Sequence, residues 1–164
     1  MEVYFSNSPI DSDASAVAEC DVDGVVENPA ARLQILLADD SESFRRRLRN
    51  LINRDSDFEL LGEAGNGEEA VQLARELHPD IVVTDVLMPS LNGIEATRRI
   101  KEEFPGINVI ALSMHGDDGF RLAMLDAGAS TYLLKDNALH ELPKVLHSIA
   151  EARATAESIP TPHI

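Results

Sequence analysis

Five times between Leu33 and Arg153, a short apolar run is followed by a stretch whose apolar residues recur at helical spacing. The runs are Leu33–Ala38, Phe58–Ala64, Ile81–Thr84, Ile107–Leu112 and Thr131–Leu134. Runs this short, rich in Val, Ile and Leu, suit strands covered on both faces. Phe44, Leu48, Leu51 and Ile52 then stand on one side of a first helix, with Ser41 placed to cap it. Asn66 and Glu69 form a capping-box-like pair before Ala70, Leu73, Ala74 and Leu77. Asn92 precedes a third helix carrying Ile94, Ile100 and Phe104. Asp117 or Asp118 opens a fourth with Leu122 and Leu125, stopped by Gly128. The last helix carries Leu142, Leu146 and Ile149. Pro143 predicts that it begins only one or two residues before that proline. Five such units predict an α/β fold, a doubly wound parallel five-stranded sheet with helices on both faces.

In such sheets ligands bind beyond the carboxyl ends of the strands, which selects the residues that matter. Strand one ends in Asp39 and Asp40, strand three in Asp85, strand four in Ser113 and strand five in Lys135. Two carboxylates about 4 Å apart repel by about 4 kcal/mol at an effective dielectric near 20. Three of them need a counter-charge. Lys135 supplies one, and a hard, oxygen-seeking divalent cation such as Mg²⁺ suits the remainder. Alone, an Asp-Asp pair after a strand reads as a helix cap; with Asp85 and Lys135 at the same edge it reads as a site.

The stretches LLADDSESFRRRL, PDIVVTDVLMPSLNGIEATRRI, VIALSMH and AGASTYLLKD, in this order over residues 33 to 152, resemble the receiver domains of two-component response regulators, most closely the NarL/FixJ subfamily. The resemblance implies a flavodoxin-like (βα)5 fold with strand order 2-1-3-4-5. It implies that Asp85 accepts a phosphoryl group from a phosphohistidine on a histidine kinase. Asp40 then binds Mg²⁺ directly, Asp39 acts mainly through a metal-bound water, and the Leu87 carbonyl completes the protein ligands. Lys135 pairs with a phosphoryl oxygen, Ser113 donates its hydroxyl to the phosphoryl group, and Tyr132 rotates as Ser113 moves. Pro89 and Gly93 shape the loop after the nucleophile. The switching face is formed by helix four, strand five and helix five, near Leu122, Leu125 and Tyr132. Such a protein is not a turnover enzyme. Its output is an unidentified downstream protein, a histidine phosphotransfer protein in a relay, or a homodimer.

Other features bound the reading. The net charge of −15 disfavours non-specific binding to DNA or anionic lipid and suits a cation or a basic partner. Cys20 is the only cysteine, so no intramolecular disulfide forms and a reducing compartment fits. No signal peptide is visible and no apolar run approaches the roughly 20 residues of a spanning helix, so a cytoplasmic protein is expected. Residues 1 to 32 hold seven acidic residues and one base, and are expected to be a disordered acidic arm. Residues 154 to 164 read as a flexible tail, leaving 33 to 153 as the receiver; only about a dozen residues follow the last helix, so no DNA-reading domain is expected. Within the arm, Asp21-Val22-Asp23-Gly24 looks like the nucleophile motif of haloacid-dehalogenase-type phosphatases. The preceding Ala16–Cys20 is a poor strand, however, and the chain that follows is already committed to five other units, so a chance match is the better reading. Arg45, Arg46, Arg47 and Arg49 read as a solvated helix face, His115 as a loop residue, and Met88 and Met114 as packing around the pocket.

Overall fold

The computed structural model describes residues 32–158. The expected acidic arm, apart from Arg32, and the end of the expected tail lie outside the described residues. Five strands and five helices alternate: β1 (Leu33–Ala38), α1 (Glu42–Asn53), β2 (Phe58–Ala64), α2 (Gly67–Leu77), β3 (Ile81–Asp85), α3 (Gly93–Glu103), β4 (Asn108–Ser113), α4 (Asp118–Ala127), β5 (Thr131–Leu134) and α5 (Lys135–Ser158). The sheet is parallel throughout, in the order β2-β1-β3-β4-β5. This is the flavodoxin-like arrangement 2-1-3-4-5, and its reversal of direction at β1 places β1 and β3 side by side at the crevice where ligands bind.

The strands' alternation divides the core into two layers. Ile35, Leu37, Val83, Ile110 and Leu112 pack with Phe44, Leu48 and Ile52 of α1 and Ala138, Leu142 and Leu146 of α5. Leu36, Val82, Val109 and Ala111 face the other way, onto Val71 and Ala74 of α2, Ala96 and Ile100 of α3 and Met124 of α4. Each fully buried aliphatic side chain contributes about 1.5–3 kcal/mol, so the central strands hold the sheet and the polar residues at their ends stand on a rigid base.

The caps follow the expected chemistry. The side chains of Ser41, Asn66, Asn92 and Asp117 accept from N–H groups in the first turns of α1 to α4. Glu69 completes its box one residue early, accepting from Gly65 N at 2.7 Å. Gly128 ends α4 with φ of 117°, a conformation that disfavours a side chain.

Two expectations are corrected. Helix α5 starts at Lys135, well ahead of Pro143, and continues to Ser158, past the predicted start of the tail at Ala154. Ala138, Leu142 and Leu146 lie four residues apart and are all buried, so one apolar stripe runs across the proline and its burial outweighs the lost hydrogen bond. In α4 the inward residues are Met124 and Ala127, while Leu122 and Leu125, placed by the resemblance on the switching face, are 61% and 36% exposed. In α1 the arginines divide: Arg46 and Arg47 are exposed, whereas Arg45 and Arg49 turn to Glu63 on β2. No helix among the described residues is long and apolar enough to cross a membrane.

Candidate active site

The end of β1 carries Asp39 inward, only 1% exposed, and Asp40 outward. Asp85 closes the neighbouring strand β3 and is 7% exposed. Carboxylate oxygens of Asp39, Asp40 and Asp85 all lie within 4.8 Å of one another. Lys135, the residue after β5, reaches into this group. Its Nζ stands 2.6 Å from Asp39 Oδ2 and 3.1 Å from Asp85 Oδ2. Residues 46, 50 and 96 positions apart in sequence are thus gathered by the parallel register alone.

The backbone locks these positions. Asp39 Oδ1 accepts from Ser41 N at 2.8 Å, and the Asp39 carbonyl accepts from the Arg45 guanidinium, which also grips Glu63. The N–H of Leu87 donates to the Asp85 carboxylate. Gly93 N donates to Val86 O at 2.7 Å, and a Cβ on Gly93 would stand 1.9 Å from the Asp85 carbonyl oxygen. Only glycine permits that approach of α3 to the loop after β3.

The electrostatics are unbalanced. Three carboxylates face one ammonium. Burial first, and the nearby Asp39 second, push the Asp85 carboxyl above its ordinary value, and Lys135 only partly opposes them. Burial pulls the Lys135 ammonium down, but its pairing with Asp39 and then Asp85 outweighs this and leaves it raised. Asp39 Oδ2 is buried, and the Lys135 ammonium, 2.6 Å away and shared with Asp85, is its one close counter-charge among the described residues. One ammonium shared by two buried carboxylates leaves negative charge that burial makes costly. The excess negative charge and the all-oxygen donor set of three carboxylates within 4.8 Å of one another fit a hard divalent cation.

Ser113 ends β4 at the same edge, one residue beyond Leu112, which pairs with Asp85. It is buried, and its Oγ accepts from His115 N at 3.0 Å. The Tyr132 hydroxyl donates to the His115 carbonyl at 2.8 Å. One loop peptide segment therefore ties the site serine to the tyrosine of β5. Met88 packs with Ala38, Ala64 and Ala70 beside the site, as expected. Met114 does not: it is 67% exposed, because it follows the last inward residue of β4. It borders a groove of about 400 Å³ shared with Ser41, Phe44, Arg47, Lys135 and Asp136. A slightly larger groove, about 420 Å³, lies at the amino-terminal edge of the sheet near Asp80, Asn108 and Arg153, away from the converging carboxylates.

Asp39, Asp40, Asp85, Ser113 and Lys135 thus stand at one edge, with the Leu87 N–H bonded to Asp85 and Tyr132 reaching the His115 carbonyl from within β5. Two contributors were not foreseen. Phe44 read only as a core residue, yet the Lys135 ammonium lies over its ring, 4.8 Å from the centroid. Arg45 read as solvated, yet it clamps the Asp39 carbonyl. Neither leaves a signal in the chain, since each depends on how α1 docks.

Comparison with known proteins agrees with this geometry. The family model "Response regulator receiver domain" matches residues 35–147. Transcriptional regulatory protein DegU of Brevibacillus brevis is 36% identical over 118 residues, covering 70% of this chain and 50% of DegU. Response regulator protein VraR of Staphylococcus aureus is 32% identical over 125 residues, covering 76% of this chain and 60% of VraR. The chain therefore spans only half to three fifths of these relatives. Among solved structures, a LuxR-family two-component response regulator from Aurantimonas sp. SI85-9A1 is 36% identical with a TM-score of 0.69, covering 74% of this chain and 86% of the other. The response regulator domain of Thermotoga maritima CheB is 29% identical with a TM-score of 0.68, covering 73% and 97%. The chain belongs to the response regulator receiver domain family, and its relatives place it with the NarL/FixJ subfamily.

Proposed function

We propose that residues 33–153 form a receiver unit that is loaded on Asp85 by a histidine kinase and signals through a partner-binding face. The observation that carries this reading is the convergence of Asp39, Asp40 and Asp85 on Lys135 at one sheet edge. A carboxylate oxygen of Asp85 attacks phosphorus, the phosphorus–nitrogen bond of the donor phosphohistidine breaks, and the imidazole nitrogen leaves with the electron pair. Asp39, Asp40 and Asp85, with the Leu87 carbonyl, would hold Mg²⁺, which supplies charge neutralisation as the phosphoryl passes between two oxygens. Lys135 turns from Asp39 toward a phosphoryl oxygen as a compact point charge. Ser113 donates its hydroxyl to the phosphoryl group.

Loading turns the Asp85 carboxylate into an acyl phosphate of about −2 charge, a net gain of about one negative charge and of strong acceptor oxygens beside Ser113. When Ser113 moves to the phosphoryl group it lets go of the His115 N–H, and the hydrogen bond between Tyr132 and the same residue's carbonyl is disturbed. The exposed Leu122 and Leu125 lie on the helix that follows this loop, so the switching face reads out the site. The protein acts stoichiometrically, as a signalling receiver in the cytoplasm rather than a turnover enzyme.

A second reading is that this chain is the receiver portion of a transcription regulator, favoured by its covering only 50% of DegU. Incubation with a small acyl-phosphate donor and Mg²⁺, followed by intact-mass measurement, tests the chemistry common to both. One phosphoryl group is expected on the wild-type chain and none on Asp85→Asn. A modified Asp85→Asn protein would overturn the assignment. Pull-down with the loaded protein distinguishes a kinase, a histidine phosphotransfer protein, a second copy of the chain or another output partner.

A further inference from the structure

We propose that Phe44 is a positioning residue for Lys135, its ring forming the apolar wall that keeps the ammonium turned toward the carboxylates. This rests on the reading of Lys135 as the cation that meets the phosphoryl oxygen. The Lys135 side chain is only 9% exposed, and its Nζ has three kinds of neighbour: Asp39 Oδ2 at 2.6 Å, Asp85 Oδ2 at 3.1 Å and the Phe44 ring at 4.8 Å from the centroid. An ammonium within about 6 Å of a ring face is attracted to it, most strongly where water is excluded. The ring is itself buried, and the α1 cap fixes its backbone, because Phe44 N donates to Ser41 Oγ at 3.3 Å. The cap, the ring and Asp39 thus belong to one short segment that follows β1.

The consequence concerns the exchange of partners during loading. Lys135 must leave Asp39 for a phosphoryl oxygen without being drawn into solvent. A ring face stabilises the charge without offering a competing oxygen, so the ammonium slides along it between acceptors. An aliphatic side chain of similar volume fills the space but exerts no such attraction. Arg47, whose guanidinium lies 5.9 Å from the same centroid, sits at the mouth of the groove beside Lys135 and gives the ring a second cation.

The test uses the full chain with Phe44→Leu, which keeps apolar bulk, and Phe44→Tyr, which keeps the ring. In the unphosphorylated protein, the Lys135 ε-methylene proton resonances, assigned by their loss in Lys135→Arg, should lie upfield of the other lysines from the ring current. They should return to ordinary positions in Phe44→Leu and stay shifted in Phe44→Tyr. With saturating acetyl phosphate and Mg²⁺, the loading rate should fall by about 5-fold to 30-fold in Phe44→Leu, the span from an exposed to a desolvated cation–ring contact, and stay within about 2-fold in Phe44→Tyr. An unshifted Lys135 signal in the wild type overturns the proposal, and needs no variant to fold. So does a slowed Phe44→Leu whose Lys135 signal has not moved, or a wild-type rate in Phe44→Leu. If the wild type itself gains no phosphoryl mass, the functional reading fails instead, while the resonances still report on the Phe44–Lys135 contact.

Discussion

At the scale of single residues, the tension lies in Asp85. Its carboxyl is raised by burial and by Asp39. Below the ordinary carboxyl range both folded and unfolded forms carry the proton. As pH rises from that range through the raised folded value, the unfolded chain releases the proton first, so ionisation of Asp85 subtracts stability over that window. At neutral pH without divalent cations, Asp85→Asn should therefore melt higher than the wild type, by about 2–4 °C, with the gain absent at low pH; thermal melts in chelator across pH check both halves. Added Mg²⁺ should reverse the ranking. At about 100 times its dissociation constant it should stabilise the wild type by about 2.7 kcal/mol and the variant by less, seen as a change in melting temperature. Gly93 carries the opposite kind of constraint. A methyl group there meets the Asp85 carbonyl at 1.9 Å, so Gly93→Ala should cost at least about 2 kcal/mol in urea unfolding, as an overpacked contact does.

At the scale of elements, α5 and the β4–α4 loop are the informative pieces. Helix α5 tolerates Pro143 only because Ala138, Leu142 and Leu146 anchor it on both sides of the break. Restoring the missing N–H with Pro143→Ala should stabilise the protein by about 1–2 kcal/mol, the helix-interior cost of proline less the entropy it removes from the unfolded chain. Chemical denaturation reads this directly. The loop joins Ser113 to Tyr132 through the two sides of His115. Tyr132→Phe keeps the ring but deletes the hydroxyl, so it should leave phosphoryl loading within about 2-fold while loosening the loop by roughly 1 kcal/mol, the net value of one hydrogen bond. Hydrogen exchange at the amides of residues 114–117 is the measurement, and unchanged protection would deny the loop this role.

At the scale of the whole molecule, the five-fold alternation of apolar run and amphipathic stretch was enough to read the layers, since strands buried on both faces and helices with one apolar stripe admit few arrangements. The ends of the strands then pointed to Asp39, Asp40, Asp85, Ser113 and Lys135 before any contact was known. Legibility failed where a local rule competed with packing. Pro143 argued for a late helix start, and the apolar stripe prevailed. By itself the sequence determined the order of elements, their caps and which polar residues lie at the carboxyl edge, because periodicity and capping are encoded within a few neighbouring residues. Only the tertiary structure decided that Lys135 lies between Asp39, Asp85 and the face of Phe44, and that Arg45 holds the Asp39 carbonyl. Those contacts depend on the rotation and docking of α1 against the sheet, set by the whole core at once and by no stretch of the chain alone.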